Sequence, residues 1–514
     1  PISQATRQNS AEFNGELLVT GGLTTSYADS RATEQGFLTG AGIRKLVAGS
    51  SGGSMSDGTY LVCCFLEWRD AKGKLHRSRM SPTSSITLSG GGAAQRISLY
   101  CFPPGLSCRV EDFGLSTLNG GTILPTLVAC RTEAAGSRFY EAARTVIPIS
   151  GTGLQTEIVV SDATLRTNAL AYTEGGEVNN FSVGSTKCIA AGKSRVVVDD
   201  ADDPDIVYIS KLGGTGIGTM FSPNLAVRIP SIGGLRITAL AAIDDLYFAS
   251  RANAVYYWAG NGPDTTNQGS DFGAVRQVAG ADVGAVNQAG VVAIPGRVIM
   301  RTSKGFYAVG NDLSWQYIGA DVEDSNALTV LSSCVVADAN EAHFLMSNYT
   351  ELVYNYEFGA WSKNTDFDAG DIAAVSTRRH FSLRTQNARV GRTSATFSDG
   401  ASGGSYFFKI ATPWIKFSSL QGVQRIYEAL ILLGASSAGT VQVSISFDYV
   451  DSPSETHTFS GIEQAKIPFN NQTCQVFKLT LYAYNVSGDC SFTGTSLWCG
   501  VKPGSAKLPI GSIA

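Results

Sequence analysis

Short apolar runs of about four to eight residues recur along the chain, and Gly, Asn or Asp bounds most of them. In several runs apolar and polar residues alternate, and in 440–449 the apolar positions are Val441, Val443, Ile445 and Phe447. Alternation with a period of two is the pattern of a β-strand that buries one face. Helical periodicity is nearly absent from the sequence. The pattern therefore predicts an all-β protein.

Four of the predicted hairpins share one pattern, in which the second strand carries a Tyr after two small or apolar residues. The tyrosines are Tyr208, Tyr256, Tyr307 and Tyr354, at intervals of roughly 50 residues. A period of this length made only of strands is typical of a β-propeller, in which each blade is a four-stranded sheet packed on its neighbours. A plain β-sandwich with coincidental spacing is the alternative interpretation.

Two further hairpins extend this series. Residues 380–392 continue it with Val390 at the Tyr position, and residues 16–27 supply a candidate blade near the N-terminus. We therefore predict a β-propeller of about six blades. Residues 151–402 form it, and the N-terminal segment 1–53 contributes strands.

The repeat is interrupted between the first hairpin and the rest. Residues 54–150 contain a strand, a turn and a second strand at 59–88, and more short strands follow, which predicts an inserted fibronectin/immunoglobulin-like β-sandwich. Gly and Ser dominate 398–404, and the runs after this linker alternate again. Residues 403–514 are therefore expected to form a C-terminal β-sandwich that ends in an extended tail.

Composition limits the classes of function. Of 514 residues only 16% are charged, and the net charge of −4 argues against a basic clamp for nucleic acid. No apolar run approaches the roughly 20 residues that span a bilayer, and the N-terminus lacks the pattern of a signal peptide. The ten cysteines have no CxxC spacing and are expected to be free thiols, with a Cys490–Cys499 bridge as the alternative.

Candidate chemistry is sparse. None of the four histidines has metal-ligand spacing to another His or a Cys, and His76 is expected at a half-exposed strand position. The acidic run 199–205 is interpreted as a solvated hairpin turn, with adventitious calcium as the alternative. The glycine-rich stretch 213–218 lacks the strand and helix of a phosphate loop and is expected to connect blades.

Enzymatic activity is not predicted. Propeller glycosidases such as sialidases carry repeated Ser-x-Asp-x-Gly-x-x-Trp turns, and the Ser398-Asp399-Gly400 sequence is not followed by that Trp. No nucleophile, base and orienting group fall into a recognisable arrangement. We therefore predict no catalytic residue, no cofactor and no metal site.

One region concentrates positive charge and is the candidate interface. DNA phosphates are one possible partner, and an acidic protein surface is the interpretation we favour. The candidate residues are Arg378, Arg379, His380, Arg384, Arg389 and Arg392.

Several segments, taken in order, resemble the tail proteins of short-tailed bacteriophages that are called nozzle, tail tubular or stabilisation proteins. The segments are GG at 21–22, YAD at 27–29, EQGF at 34–37, GNGPD at 260–264, GSDF at 269–272, GFY at 305–307, WQYIGA at 315–320, VED at 322–324, TPWIK at 412–416 and LQGVQR at 420–425. The resemblance covers most of the chain, and the order of the segments is more informative than any one of them.

The resemblance implies a homo-hexameric ring below the portal and adaptor proteins of the virion, assembled in the host cytoplasm. Viral DNA would pass through the ring without specific binding, and tail fibres or a plug would bind to it. The sequence departs from the family by starting close to the first blade. Two alternative functions belong to other classes of protein. One is a carbohydrate-binding propeller protein, and the other is a propeller glycosidase that serves as a tailspike.

Overall fold

Strands dominate the computed structural model, and their pairing is antiparallel in every named sheet of the described residues. The structure describes residues 8–28, 31–70, 72–102, 125–147, 154–231, 234–365, 369–375, 378–383, 390–392, 406–417, 422–435, 440–460, 464–470, 473–486 and 490–502. Contacts divide the chain into two compact units, residues 1–392 and 393–514. No helix in the described ranges has the length and apolar character needed to cross a membrane.

The first blade is formed by the N-terminal segment. Its strands are β1 (Asn9–Phe13), β2 (Glu16–Thr20), β3 (Gly22–Leu23), β4 (Thr25–Ala28) and β5 (Arg31–Glu34). The sheet order is β1-β2-β4-β5, while β3 pairs with a strand of residues 185–186 that precedes the second blade. The predicted hairpin at 16–27 is therefore part of a complete four-stranded blade.

An inserted β-sandwich follows the first blade. Its strands are β6 (Ile43–Gly49), β7 (Gly58–Arg69), β8 (Leu75–Arg77), β9 (Ser84–Leu88), β10 (Arg96–Cys101), β11 (Thr126–Arg131), β12 (Tyr140–Val146) and β13 (Leu154–Ile158), with a 3-10 turn at Gly92–Ala94. One sheet has the order β13-β10-β6, and the other has β12-β11-β7-β8 with β9 also on β7. Their inner faces share a core that includes Leu99, Leu154, Val62 and Leu127.

The sandwich extends beyond the bounds 54–150 expected from sequence. Both β6 and β13 lie outside those bounds, and both pair with β10. A short linking segment follows, with helix α1 (Asp162–Leu165) and a 3-10 turn at Tyr172–Gly175. Tyr172 packs edge-on against Phe65 at 5.2 Å, so β7 is buried on both faces.

Five more sheets complete the propeller. After the short strand β14 (Ser185–Thr186), blade 2 consists of β15 (Ile189–Ala191), β16 (Val196–Asp199), β17 (Ile206–Ser210) and β18 (Phe221–Arg228), and blade 3 consists of β19 (Ile237–Ile243), β20 (Leu246–Arg251), β21 (Ala254–Ala259) and β22 (Arg276–Gln277). Blade 4 consists of β23 (Val291–Ile294), β24 (Arg297–Thr302), β25 (Gly305–Gly310) and β26 (Trp315–Tyr317), and blade 5 consists of β27 (Val330–Val336), β28 (Glu341–Met346), β29 (Glu351–Asn355) and β30 (Ala360–Asn364). Blade 6 consists of β31 (Ala369–Val375), β32 (Arg378–Leu383) and β33 (Val390–Arg392). Further 3-10 turns lie at Gln288–Gly290, Ala320–Ser325 and Ala337–Ala339.

The contacts between sheets identify the propeller. The first strands of the six blades lie side by side in chain order, from β1 through β15, β19, β23 and β27 to β31. The tyrosine repeat is confirmed as a blade repeat, because Tyr208, Tyr256, Tyr307 and Tyr354 all lie in the third strand of their blades. The protein is therefore all-β and contains a β-propeller.

The C-terminal unit is the predicted β-sandwich. Its strands are β34 (Tyr406–Ala411), β35 (Val423–Ala435), β36 (Thr440–Phe447), β37 (Glu455–Ser460), β38 (Gln464–Pro468), β39 (Thr473–Cys474), β40 (Phe477–Val486) and β41 (Cys490–Lys502). One sheet has the order β34-β40-β36-β37, and the other places β38, β39 and β41 on β35. The alternating positions Val443 and Ile445 pack in its core with Ile431. The expected tail lies almost entirely outside the described residues.

The thiols that the structure describes are free. They are Cys63, Cys64, Cys101, Cys130, Cys188, Cys334, Cys474 and Cys499. All are buried except Cys499, which is partly exposed. Free buried thiols act as small apolar groups in strands, as the sequence predicted.

Candidate interface surfaces

The predicted basic interface lies on blade 6. Arg384 and Arg389 fall outside the described residues, and at 378 and 392 only the backbone is described. The strand ladder pairs Val375 with Arg378, Ala373 with His380, and His380 with Arg392. Directly paired residues share one face of a sheet, so positions 378, 380 and 392 lie on one face and Arg379 lies on the other.

Arg379 faces blade 5 and not the surface. Its side chain is only 13% exposed, and its guanidinium binds Glu351, which is fully buried. Arg379 Nη1 also lies 3.0 Å from His343 Nδ1. Arg379 therefore joins two blades of the same chain, which removes it from the predicted interface.

A network of polar side chains surrounds this contact. Glu351 Oε1 lies 3.0 Å from His343 Nδ1, and Glu351 Oε2 accepts a hydrogen bond of 2.6 Å from Asn364 Nδ2. The other ring nitrogen, His343 Nε2, lies 3.1 Å from Glu341 Oε2. Both N–H groups of an imidazolium are satisfied by this arrangement.

Titration of the network follows from its contacts. Burial opposes the charged form of Glu351, but the hydrogen bond from His343 and the charge of Arg379 outweigh burial and lower its pKa. Burial also opposes the imidazolium, but the hydrogen bonds with Glu341 and Glu351 outweigh it and raise the pKa of His343. Arg379 and Glu351 therefore attract each other as opposite charges at neutral pH, and protonated His343 adds a second positive charge below its raised pKa.

Carboxylates of the acidic run 199–205 accept hydrogen bonds from backbone and side-chain groups of the protein. Asp199 Oδ1 accepts 2.7 Å hydrogen bonds from the backbone N–H groups of Lys187 and Cys188. Asp205 Oδ1 binds Arg251 at 2.7 Å, on the next blade. The carboxylates diverge onto different partners, whereas a calcium loop would turn them toward one point.

A second polar cluster joins blade 1 to the inserted sandwich, and the sequence did not indicate it. His76 is buried, which corrects the expected half-exposed position, and its Nε2 lies 3.1 Å from Asp70 Oδ2. Lys74 Nζ lies 3.4 Å from Oε1 of Glu16, whose side chain is fully buried on strand β2. Burial opposes the charge on Asp70, but the hydrogen bonds from His76 and from the backbone of Lys74 lower its pKa.

Ligand atoms of Glu16, Asp70 and His76 lie within 4.8 Å of one another, and these are residue types that bind zinc. The ammonium of Lys74 already supplies a positive charge beside Glu16. Lys74 thus balances the charge of Glu16, and Asp70 is held by the His76 ring and by the backbone N–H of Lys74. We therefore interpret the cluster as a joint between two domains.

The glycine-rich stretch 213–218 belongs to this joint and does not connect blades, because it lies between strands β17 and β18 of blade 2. Leu75 of the sandwich donates to Gly216 O and accepts from Gly218 N, both at 2.9 Å. A Cβ at Gly218 would lie 2.1 Å from the His76 ring, so only Gly fits. The sandwich is therefore attached to blade 2 as well as to blade 1.

An exposed aromatic face lies on the C-terminal unit. Trp498 is 66% exposed, and its ring centroid lies 5.4 Å from that of Tyr427 on the adjacent strand. The Arg425 guanidinium lies 5.6 Å over the Tyr427 ring, and Glu428 pairs with Lys466 at 3.0 Å beside them. Aromatic rings surrounded by polar side chains are typical of a binding surface.

Comparison with known proteins finds only distant structural similarity. No protein-family model and no curated protein matches the chain. A chain from a mitotic checkpoint complex is similar with 9% identity and a TM-score of 0.27, over 70% of this chain and 95% of that one. A DUF4784 family protein from Bacteroides caccae is similar with 9% identity and a TM-score of 0.25, over 64% and 98%. A chain from the S. cerevisiae complex of dbp5, nup159 and gle1 is similar with 11% identity and a TM-score of 0.24, over 60% and 91%.

Proposed function

We propose that this chain is a structural subunit of a short bacteriophage tail, the nozzle, in which six copies surround the channel for DNA ejection. Two independent lines support the proposal. The ordered segments that resemble nozzle and tail tubular proteins run from residue 21 to residue 425. The second line is the distribution of buried polar side chains, and it carries most of the weight.

These buried polar side chains lie at joints between sheets. Glu16 and Lys74 join blade 1 to the sandwich, and Glu351 and Arg379 join blades 5 and 6. Arg251, which is fully buried, donates from blade 3 to Asp205 and to the carbonyl of Ile229 on the blade 2 side, at 2.7 and 3.0 Å.

The sandwich is joined to the segment after it in the same way. Arg131 is fully buried, donates to Asp162 Oδ1 at 2.7 Å, and lies on β11. Satisfied buried networks fix one geometry, because every partner must be in place at once. Fixed geometry between domains is what the wall of a channel needs.

Electron microscopy of the purified protein, alone and mixed with a portal complex, tests the proposal. We expect closed rings with six-fold symmetry that bind at the portal end. Monomers that persist at high protein concentration and do not bind the portal would contradict it.

Carbohydrate binding is the second candidate function, and the exposed aromatic face of the C-terminal unit favours it. A sugar ring can stack its apolar face on Trp498, while Glu428, Lys466 and Arg425 supply hydrogen-bonding groups at the edge. Retention on immobilised bacterial polysaccharide, lost in Trp498→Ala, would support this candidate. Release of reducing sugar would point instead to a glycosidase.

A further inference from the structure

Two cysteines, which we call the core pair, face each other inside the inserted sandwich. Cys64 lies in the middle of β7 and Cys101 is the last residue of β10, so they belong to opposing sheets. Their sulfur atoms are 3.8 Å apart, and both side chains lie buried in the shared apolar core. The core pair therefore connects two sheets that share no strand pairing in the described residues.

The two members of the core pair are held differently by the backbone. The N–H of Cys64 donates to Ser81 Oγ at 2.9 Å, and the N–H of Ser81 donates to Cys64 O at 2.8 Å. Cys101 ends its strand, and the next residue, Phe102, is 57% exposed. Strand ends open more readily than strand centres. Local opening at the end of β10 therefore gives a small solute access to a pair that is otherwise sealed in the core.

The core pair also differs in acidity. The S–H group of Cys101 stabilises the Cys64 thiolate by a hydrogen bond, which outweighs burial and lowers the pKa of Cys64. The contact with Cys64, together with burial, raises the pKa of Cys101. The thiolate is the nucleophilic form of cysteine. Cys64 is therefore the member that reacts first with an oxidant.

Other buried thiols of the described chain lack this combination. Burial raises the pKa of Cys334 to about 12 and the pKa of Cys474 to about 11. Cys63 lies directly opposite Cys130, but on the adjacent strand of the same sheet. A bond between those two would link strands that are already paired. A bond within the core pair would connect two separate sheets instead.

We propose that the core pair is a reversible oxidation site, at which a small peroxide forms a disulfide that ties the two sheets of the sandwich together. In the first step the Cys64 thiolate attacks one peroxide oxygen and the O–O bond breaks. Cys64 becomes a sulfenic acid, and the other oxygen takes up a proton and leaves as water.

The second step closes the disulfide. Cys101 Sγ attacks Cys64 Sγ, the S–O bond breaks, and the hydroxyl group leaves as a second water with the proton of the Cys101 thiol. In total the two thiols lose two electrons and two protons, and the peroxide is reduced to two water molecules. A dithiol reductant restores the thiols by exchange.

The existing geometry is close to that of the bond. Bonded sulfurs are about 2 Å apart, so side-chain rotation has to close a gap of roughly 2 Å. The bond would join residues that are 37 positions apart in the sequence, and closing such a loop restricts the unfolded chain. Oxidation should therefore stabilise the sandwich that is attached to blades 1 and 2. The inference does not depend on the proposed function.

Peroxide treatment of the full-length protein tests the site. Exposed thiols, such as the partly exposed Cys499, are first blocked with N-ethylmaleimide under native conditions. Hydrogen peroxide is then added, and proteolytic peptides are mapped by mass spectrometry with and without dithiothreitol. We expect the peptides that contain Cys64 and Cys101 to be linked with the loss of two hydrogen atoms, and dithiothreitol to separate them.

Variants assign the bond, because Cys63 and Cys64 are adjacent and share one peptide. Cys64→Ala and Cys101→Ala should each abolish the link. Cys63→Ala, which removes a buried thiol from the same strand, is the matched control and should keep the link. In the wild-type protein, hydrogen exchange of β10 should slow by roughly tenfold or more after oxidation and recover after reduction.

Several results would overturn the inference. One is a link from Cys64 or Cys101 to any other cysteine, and another is a core pair that stays reduced in peroxide sufficient to oxidise free glutathione completely. Oxidation of Cys64 to a sulfinic acid without a link would also contradict it, as would loss of the link in Cys63→Ala. The map of the wild-type protein decides the question by itself if an alanine variant does not fold.

Discussion

The joint between blades 2 and 3 and the joint between blades 5 and 6 stack the same kind of sheet with different chemistry. In the first, a large apolar core dominates, in which Trp258 is fully buried and stacks on Tyr247 with ring centroids 5.6 Å apart, and the Arg251 and Asp205 ion pair adds to it. In the second, a small apolar cluster with Leu345 is extended by the Glu351 and Arg379 ion pair. An apolar joint depends on volume, whereas an ionic joint depends on charge and pH. The two joints should therefore fail under different changes.

The largest effect should come from the apolar joint. Trp258→Ala removes the largest fully buried side chain among the described residues and should lower the free energy of unfolding by about 3–5 kcal/mol. Denaturant unfolding followed by circular dichroism measures the change. The control is Trp498→Ala, which removes an exposed Trp and should change stability by about 0.5 kcal/mol or less. Similar losses of stability in both variants would contradict the burial of Trp258.

Charge reversal in the ionic joint should have the next largest effect. Arg379→Glu places a carboxylate against buried Glu351 and should cost about 3 kcal/mol, since breaking a buried pair leaves an uncompensated charge. Arg379→Met, which keeps the stem, should cost less when Glu351 is replaced by Gln in the same chain. Arg276→Glu, at an exposed position of β22, is the control and should cost about 0.5 kcal/mol or less. Equal effects at 276 and 379 would argue against the buried ion pair.

The ionic joint should also depend on pH in both directions. The pKa of Glu351 is lowered, so its contribution is present above its ordinary pKa and is lost as the pH falls through the depressed value. The pKa of His343 is raised, so its contribution is present below its ordinary pKa and is lost as the pH rises through the raised value. Both contributions are fully present between the ordinary pKa of Glu351 and the ordinary pKa of His343, so the joint is most stable in that range and weakens on either side of it.

Hydrogen exchange of blade 6 as a function of pH measures this window. His343→Gln should flatten the alkaline side and leave the acidic side, because Arg379 still pairs with Glu351. A profile unchanged by His343→Gln would show that other groups set the pH dependence. Blade 3 amides, beside the apolar joint, serve as the internal control.

The smallest effect on stability should occur where the chain builds no joint at all. Glu12→Lys lies on the exposed face of blade 1 and should change the free energy of unfolding by about 0.5 kcal/mol or less. Denaturant unfolding followed by circular dichroism measures the change. Glu357→Lys, also exposed but on the loop after β29, is the matched control and should behave in the same way. A loss of more than about 1 kcal/mol in Glu12→Lys alone would contradict the exposed position of Glu12.

The sequence by itself determined the class of fold and the order of its parts. Strand alternation, turn residues and the Tyr repeat are local features, and they located the blades, the insertion and the C-terminal sandwich. They did not locate the ends of the sandwich. The polar strand Ile43–Gly49 acquires its partner, β10, only through pairing with residues far along the chain.

Only the tertiary structure decided what the polar residues do. Arg379 belongs to the stretch of the sequence in which positive charge is concentrated, yet its side chain turns toward blade 5 and binds the buried Glu351. His76 is surrounded by polar residues in sequence, but Glu16 and Gly218 meet it from two other sheets. Buried joints and exposed patches are built from the same types of polar residue. Whether a given polar residue becomes part of a joint or of a patch depends on contacts with distant parts of the chain, which the local sequence pattern does not encode.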